Sequence, residues 1–148
     1  SKKSFISSTF WSERVGYVAA LETLNQMNKL KSWKKISKLG IYFRKKILEI
    51  SKKNNIDIEL SGLLAIPSFV FKNDKKNILK TFITQEMLKN GYIINNAAYL
   101  CISHNKKILD QFFKVFNKIL QSVRNRPLNK IKNLLISKES VSGFGRLN

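Results

Sequence analysis

The apolar positions of this chain recur at two periods, and the switch between them separates helices from strands. Val15, Val18, Leu21, Leu24 and Met27 follow one another at helical spacing and predict a first helix ending near Asn28 to Lys31. Trp33, Ile36, Gly40, Phe43, Ile47 and Ile50 predict a second, long amphipathic helix, with lysines and Arg44 on its other faces and a polar stop at Lys52-Lys53-Asn54-Asn55. Gly40 on the apolar side marks the close approach of another element. Ile56-Asp57-Ile58-Glu59-Leu60 then alternates apolar with charged, which is the period of a half-buried strand. Ser61-Gly62 turns it into a second strand within Leu64 to Phe71, where Pro67 marks an edge position or an irregularity.

Asn73-Asp74 leads into a helix with Leu79, Phe82, Ile83 and Met87 on one face, closed by Gly91. Tyr92 to Ile94 and Tyr99 to Ile102 read as two short strands flanking Asn95-Asn96-Ala97-Ala98. Asn105 or Ser103 caps a last long helix with the stripe Ile108, Phe112, Val115, Phe116, Ile119 and Val123, which Pro127 ends. Ile131 to Ile136 is a short apolar patch, and the Ser/Gly-rich tail beyond it is expected to be ordered only where it docks. The order predicts an α+β fold, with helices packed over one face of a small, largely antiparallel sheet.

A chain of 148 residues with 43% hydrophobic residues can bury one core without disulfides or metals. It has no apolar run near the ~20 residues that span a bilayer, and Ser1 to Ser8 lacks the apolar core of a signal peptide. Cys101 is the single cysteine, which rules out an internal disulfide or a cysteine metal cluster and fits a reducing cytoplasm. The net charge of +19 raises nucleic acid or an anionic surface as a partner. The lysines are spread in pairs rather than gathered in one tract, and the aromatic residues fall on apolar stripes. That pattern reads as solvated faces, with a small basic nucleic-acid-binding or anionic-surface-binding module as the alternative reading.

The richest stretch for chemistry is Phe5 to Thr23. Ser7, Ser8 and Thr9 give three consecutive hydroxyls, Ser12 stands as a helix N-cap, and Glu13 falls in the first turn, where a carboxylate suits the helix dipole. A polar turn opening a helix can hold an anion, although a hydroxyl-rich turn also caps a helix with no ligand at all. Arg14 can meet a substrate carboxylate, a partner-subunit acid or its own helix neighbours. His104 has no metal-ligand partner at suitable spacing and reads as structural, and Cys101 reads as a buried small hydrophobe. No residue reads as catalytic, and no phosphate-loop pattern occurs.

Ser7-Ser8-Thr9-Phe10-Trp11-Ser12-Glu13-Arg14-Val15-Gly16, followed by Ala19-Ala20-Leu21, resembles the segment after the cofactor lysine in class III aminotransferases, the group containing glutamate semialdehyde aminomutase. Glu86-Met87-Leu88-Lys89-Asn90-Gly91-Tyr92, Ser103-His104 and the closing Gly143-Phe144-Gly145-Arg146-Leu147-Asn148 extend the likeness in the same order. Leu128 to Ser142 is the least recognisable part. The resemblance implies the small C-terminal domain of a fold type I pyridoxal 5'-phosphate enzyme, acting as a homodimer on small amino and carbonyl substrates. Thr9, with Ser8, inherits the contact to the cofactor phosphate, made in the active site of the neighbouring subunit. Asn96, beside Asn95, falls where the family's small domain reaches the active-site entrance. The family's cofactor lysine, ring-binding aspartate and stacking aromatic belong to a large domain expected before Ser1, so this chain is expected not to catalyse alone. Its expected parts are residues 1–30 as active-site loop and linking helix, 31–125 as small domain and 126–148 as tail. No specific nucleic acid, membrane or metal is implied.

Overall fold

The computed structural model describes residues 13–74 and 77–141. The expectations for Ser8, Thr9 and Ser12, and for the closing Gly143-Phe144-Gly145, therefore lie outside the described residues. The chain divides into two compact units, Ser1–Trp33 and Lys34–Asn148. Among the described residues, seven elements follow in order: α1 (Arg14–Leu30), α2 (Ser32–Asn54), β1 (Ile58–Leu63), β2 (Ile66–Phe71), α3 (Ile78–Lys89), α4 (Lys106–Val123) and α5 (Leu128–Lys132).

In the first unit, α1 runs for 17 residues and buries none of them. Val15, Val18, Leu21 and Leu24 are each at least 60% exposed. The sequence predicts a packed apolar face here, and the spacing explains the difference. A step of three residues on a helix with 3.6 per turn falls back by about 60° each time, so the stripe winds around α1 instead of forming one face. The helix opens at Glu13, whose extended backbone (φ −71°, ψ 126°) makes it the N-cap. Glu13 therefore precedes the first turn that it was expected to occupy. Lys31, in the left-handed region at φ 49°, closes α1.

In the second unit, β1 and β2 form a two-stranded antiparallel sheet in which Ile58 faces Phe71, Leu60 faces Phe69 and Gly62 faces Pro67. Those pairs share the inner face: Ile58, Pro67, Phe69 and Phe71 are buried, whereas Glu59, Ser61, Leu63, Ile66 and Val70 face outward. The alternation read from Ile56 to Leu60 marks the inner face correctly, but Ser61-Gly62, expected to turn the chain, lies within β1, and the turn falls at Leu64-Ala65. The two strands expected at Tyr92 to Ile94 and Tyr99 to Ile102 do not form. The segment 96–100 runs beside β2 and is tied to it by Phe69 N–H to Asn96 O, Ala98 N–H to Pro67 O and Leu100 N–H to Ala65 O. Only Ser68 and Ala97 make a ladder pair there. The chain then leaves the sheet through a turn at Cys101, so the apolar run is too briefly paired to become a strand.

The core is aromatic. Phe112, Phe113 and Phe116 of α4 meet Phe43 of α2, Phe69 of β2 and Tyr92, with ring centroids 5.2–5.9 Å apart. Gly40, Phe43, Ile47 and Ile50 form the buried face of α2, as its period predicts, whereas Ile36 is only half-buried and Trp33, expected on the same face, is exposed near the helix start. Asn105 caps α4 by accepting the Ile108 N–H at 3.0 Å. α4 ends at Val123, four residues before Pro127, because Arg124 is already extended and Asn125 is left-handed at φ 58°. Pro127 instead opens α5, where a missing N–H costs nothing.

The tail docks on α3. Three polar side chains at successive turns of the approach to α3 and of α3 itself, Asn77, Thr81 and Gln85, hold it. Asn77 Nδ2 donates to Ser140 O, Thr81 Oγ1 accepts the Ser140 N–H, and Gln85 both donates to Leu134 O and accepts the Ile136 N–H, at 2.8–3.1 Å.

Candidate functional site

The residues singled out by sequence fall into three groups. Thr9 and Ser8 precede the described residues. Arg14 is the first residue of α1, exposed, behind an N-cap whose side chain makes no capping hydrogen bond and with no acidic residue in the first turn. The helix start thus brings the Arg14 guanidinium and the Glu13 carboxylate together at the positive end of the helix dipole. Asn96 lies in the second unit, exposed between Asn95 and Ala97, with its carbonyl held by Phe69 and its side chain on the surface. Its backbone is thus pinned against β2 while the amide stays available to a ligand.

Beside that segment lies a pocket of about 230 Å³, walled by Tyr92, Ile94, Tyr99, Leu100, Ile108 and His104 among others. It forms because 92–100 crosses from α3 to β2 without helix or strand of its own, leaving space against α4. His104 is half-buried at its edge. Cys101, expected in the core, is exposed. Its neighbour Leu100 takes the buried place, since the chain turns outward one residue later. The turn brings the two together: His104 N–H donates to Cys101 O at 3.1 Å, Cys101 N–H donates to His104 Nδ1 at 3.1 Å, and the thiol sulfur lies 3.6 Å from the same Nδ1. The C-x-x-H spacing of 101–104 was the sequence signal for this pair, obscured by the apolar residues around it. Among the described residues, no group of three or more His, Cys, Asp or Glu side chains could hold a metal ion. No described helix is long and apolar enough to cross a membrane.

On the α2–α4 face, the Tyr42 hydroxyl donates to Asp110 Oδ1. That bond, helped by partial desolvation and the charges of Asp110 and Glu49, pushes the phenol up to about 12 from 10.0. The unfolded chain loses this proton near pH 10 and the folded chain near pH 12, so the bond stabilises fully below pH 10 and is lost as pH rises through that window. The urea midpoint of the original chain should therefore exceed that of Tyr42→Phe at pH 9, and the gap should close by pH 12. A constant gap would show that the hydroxyl does not titrate against Asp110.

Known proteins similar to this chain include an aminotransferase and an aminomutase. No protein-family model matches it. The 3-aminobutyryl-CoA aminotransferase of Cloacimonas acidaminovorans is 20% identical over 127 residues, covering 82% of this chain and 31% of that protein. The glutamate-1-semialdehyde 2,1-aminomutase of Methanosphaera stadtmanae is 30% identical over 112 residues, covering 65% of this chain and 25% of that protein. Among solved structures, the PLP internal aldimine form of the FumI protein of Sphingopyxis sp. MTA144 shares the fold. It aligns with a TM-score of 0.73 at 18% identity, over 82% of this chain and 30% of that one. The chain thus spans about a third or less of the length of the proteins it matches.

Proposed function

We propose that this class III aminotransferase-like chain is the C-terminal part of a pyridoxal phosphate-dependent aminotransferase or aminomutase, bringing a cofactor-phosphate contact and the substrate entrance to a larger enzyme. One observation carries the reading: α1 exposes Val15, Val18, Leu21 and Leu24 in a chain that covers only 31% and 25% of the length of its two curated relatives. Apolar residues winding around a helix need cover on more than one side, which a cofactor-bearing large domain and a second subunit would provide. Residues 1–30 act as active-site loop and linking helix, 31–125 as the small domain and 126–148 as its tail, in a cytoplasmic homodimer.

When bound, pyridoxal phosphate supplies the electron sink for chemistry at an amino-bearing carbon. This chain's residues bind and orient. Thr9, with Ser8, donates hydroxyl hydrogen bonds to the phosphate of the neighbouring subunit's cofactor. Arg14 at the start of α1 adds positive charge for a substrate carboxylate. Asn96, on a backbone pinned to β2, offers its amide at the entrance. None of the four transfers a proton, and the segment alone does not turn over small amino or carbonyl substrates.

Mixed dimers of the complete enzyme test this, pairing a Thr9→Val subunit with a subunit lacking the cofactor lysine. The single remaining lysine site lies on the Thr9→Val subunit and takes its threonine from the partner, so its cofactor affinity should be near normal. A homodimer of Thr9→Val should lose about ten- to a hundred-fold, the worth of a hydrogen bond to a charged group. Weak binding in the mixed dimer, or normal binding in the Thr9→Val homodimer, would sink the assignment.

A further inference from the structure

The segment that presents Asn96 also walls a pocket to which no role has been given. Three main-chain bonds, from Phe69 N–H to Asn96 O, from Ala98 N–H to Pro67 O and from Leu100 N–H to Ala65 O, pin this wall to the hairpin at every second residue. The wall is therefore set before any ligand arrives. Next after Asn96 come Ala97 and Ala98, whose small side chains leave the 230 Å³ pocket its room. Its other walls include three rings, with Tyr92 and Phe43 lying 5.6 and 5.8 Å from Phe112. An apolar cavity of about 150 Å³ takes up benzene, so 230 Å³ admits one phenyl ring with a short linker. Aromatic walls favour an aromatic guest through edge-to-face and offset contacts. At the edge, His104 Nδ1 accepts the Cys101 N–H, so the neutral ring carries its proton on Nε2, a donor suited to a carboxylate or carbonyl oxygen.

We propose that this pocket receives the aryl arm of the amino substrate, whose polar end stays at the entrance beside Asn96. The assignment rests on the function proposed above and narrows its substrate class to amino compounds that carry an aromatic ring. A charged or strongly polar arm would give up its water for walls that offer it almost no partner. A methyl-sized arm would leave most of the pocket empty and forfeit the contacts that its walls can make. A ring on a short linker fills the space and meets Phe43, Tyr92 and Phe112 in one step.

The test titrates the 148-residue chain with L-phenylalanine and with L-alanine, which differ only by the ring, and follows the backbone amide signals by NMR. L-phenylalanine should give saturable shifts centred on Ile94, Ala98 and Ile108, and L-alanine should give none at the same concentration. Ala98→Leu fills the pocket from its pinned wall and should weaken the binding of L-phenylalanine about tenfold or more. In the complete enzyme, kcat/KM for L-phenylalanine should exceed that for L-alanine by about tenfold or more, and Ala98→Leu should remove most of that preference. Absence of saturable shifts around the pocket overturns the proposal, whatever the complete enzyme turns over. So does a complete enzyme that is active on amino compounds without preferring the ring. Ring binding by the chain, with a complete enzyme that turns over no amino compound, overturns instead the reading on which the proposal rests. Should Ala98→Leu fail to fold, the paired titration and the kcat/KM ratio of the original protein decide alone.

Discussion

Phe116→Ala should lower the stability of the second unit by about 3–5 kcal/mol, a large share of the 5–15 kcal/mol that holds a typical domain together. Phe116 has no exposed surface. Its ring stacks on Phe112 at 5.7 Å and meets Phe69 of β2 edge-on at 5.9 Å, so it joins α4 to the sheet. Removing it deletes buried apolar area and leaves a cavity whose walls are other rings, which cannot collapse without leaving their rotamers. The urea midpoint of Phe116→Ala against Phe116→Leu separates the two terms, with Leu expected to retain more than half the stability lost by Ala. A loss near zero for Ala would mean that the ring cluster does not hold α4 to the sheet.

Gly40→Ala comes next in size and has the more surprising sign. Helix propensity alone favours alanine over glycine in α2 by about 1 kcal/mol. A Cβ at this position would lie 1.9 Å from the carbonyl oxygen of Leu64 and 2.7 Å from its carbonyl carbon. Both atoms are backbone, so no side-chain rotation relieves the clash, and α2 or the hairpin must shift. The net expectation is a loss of about 3 kcal/mol, at the upper end of ordinary overpacking. Gly16→Ala in α1 is the contrast: nothing lies within 4 Å of its Cβ, and the propensity gain should appear undiminished. Thermal melts of the two variants decide the matter, and a Gly40→Ala protein at least as stable as the original would refute the close approach.

Gly40 also shows how far the sequence could be read. A glycine on the apolar side of a long periodic helix has few explanations, and the approach it announces is there. α2, α3 and α4 were equally legible because each repeats its apolar spacing over more than two turns, and the sheet because Ile58 and Leu60 alternate with charges. The stretch 92–102 was not. Its apolar pieces are three or four residues long, and whether such a piece pairs, turns or lines a pocket depends on elements far away in sequence. Cys101 was misplaced for that reason, its surroundings being apolar in sequence but not in space. α1 was legible as a helix, but its three-residue repeat hid that no single face gathers the apolar residues. The assignment of Thr9 owes nothing to periodicity and rests on the wording around it, while Arg14 and Asn96 stand on separate units.

The polar rungs on which the tail rests bear on inheritance. Asn77, Thr81 and Gln85 grip Ser140, Ile136 and Leu134 chiefly through main-chain N–H and C=O groups, which every residue but proline supplies in full. Such a clasp specifies a path and leaves its wording open. Over generations 134 and 136 can change provided that proline stays out of 136, while the three gripping side chains cannot; Leu135, packed on the core, and Glu139, paired with Lys132, are held by their side chains as well.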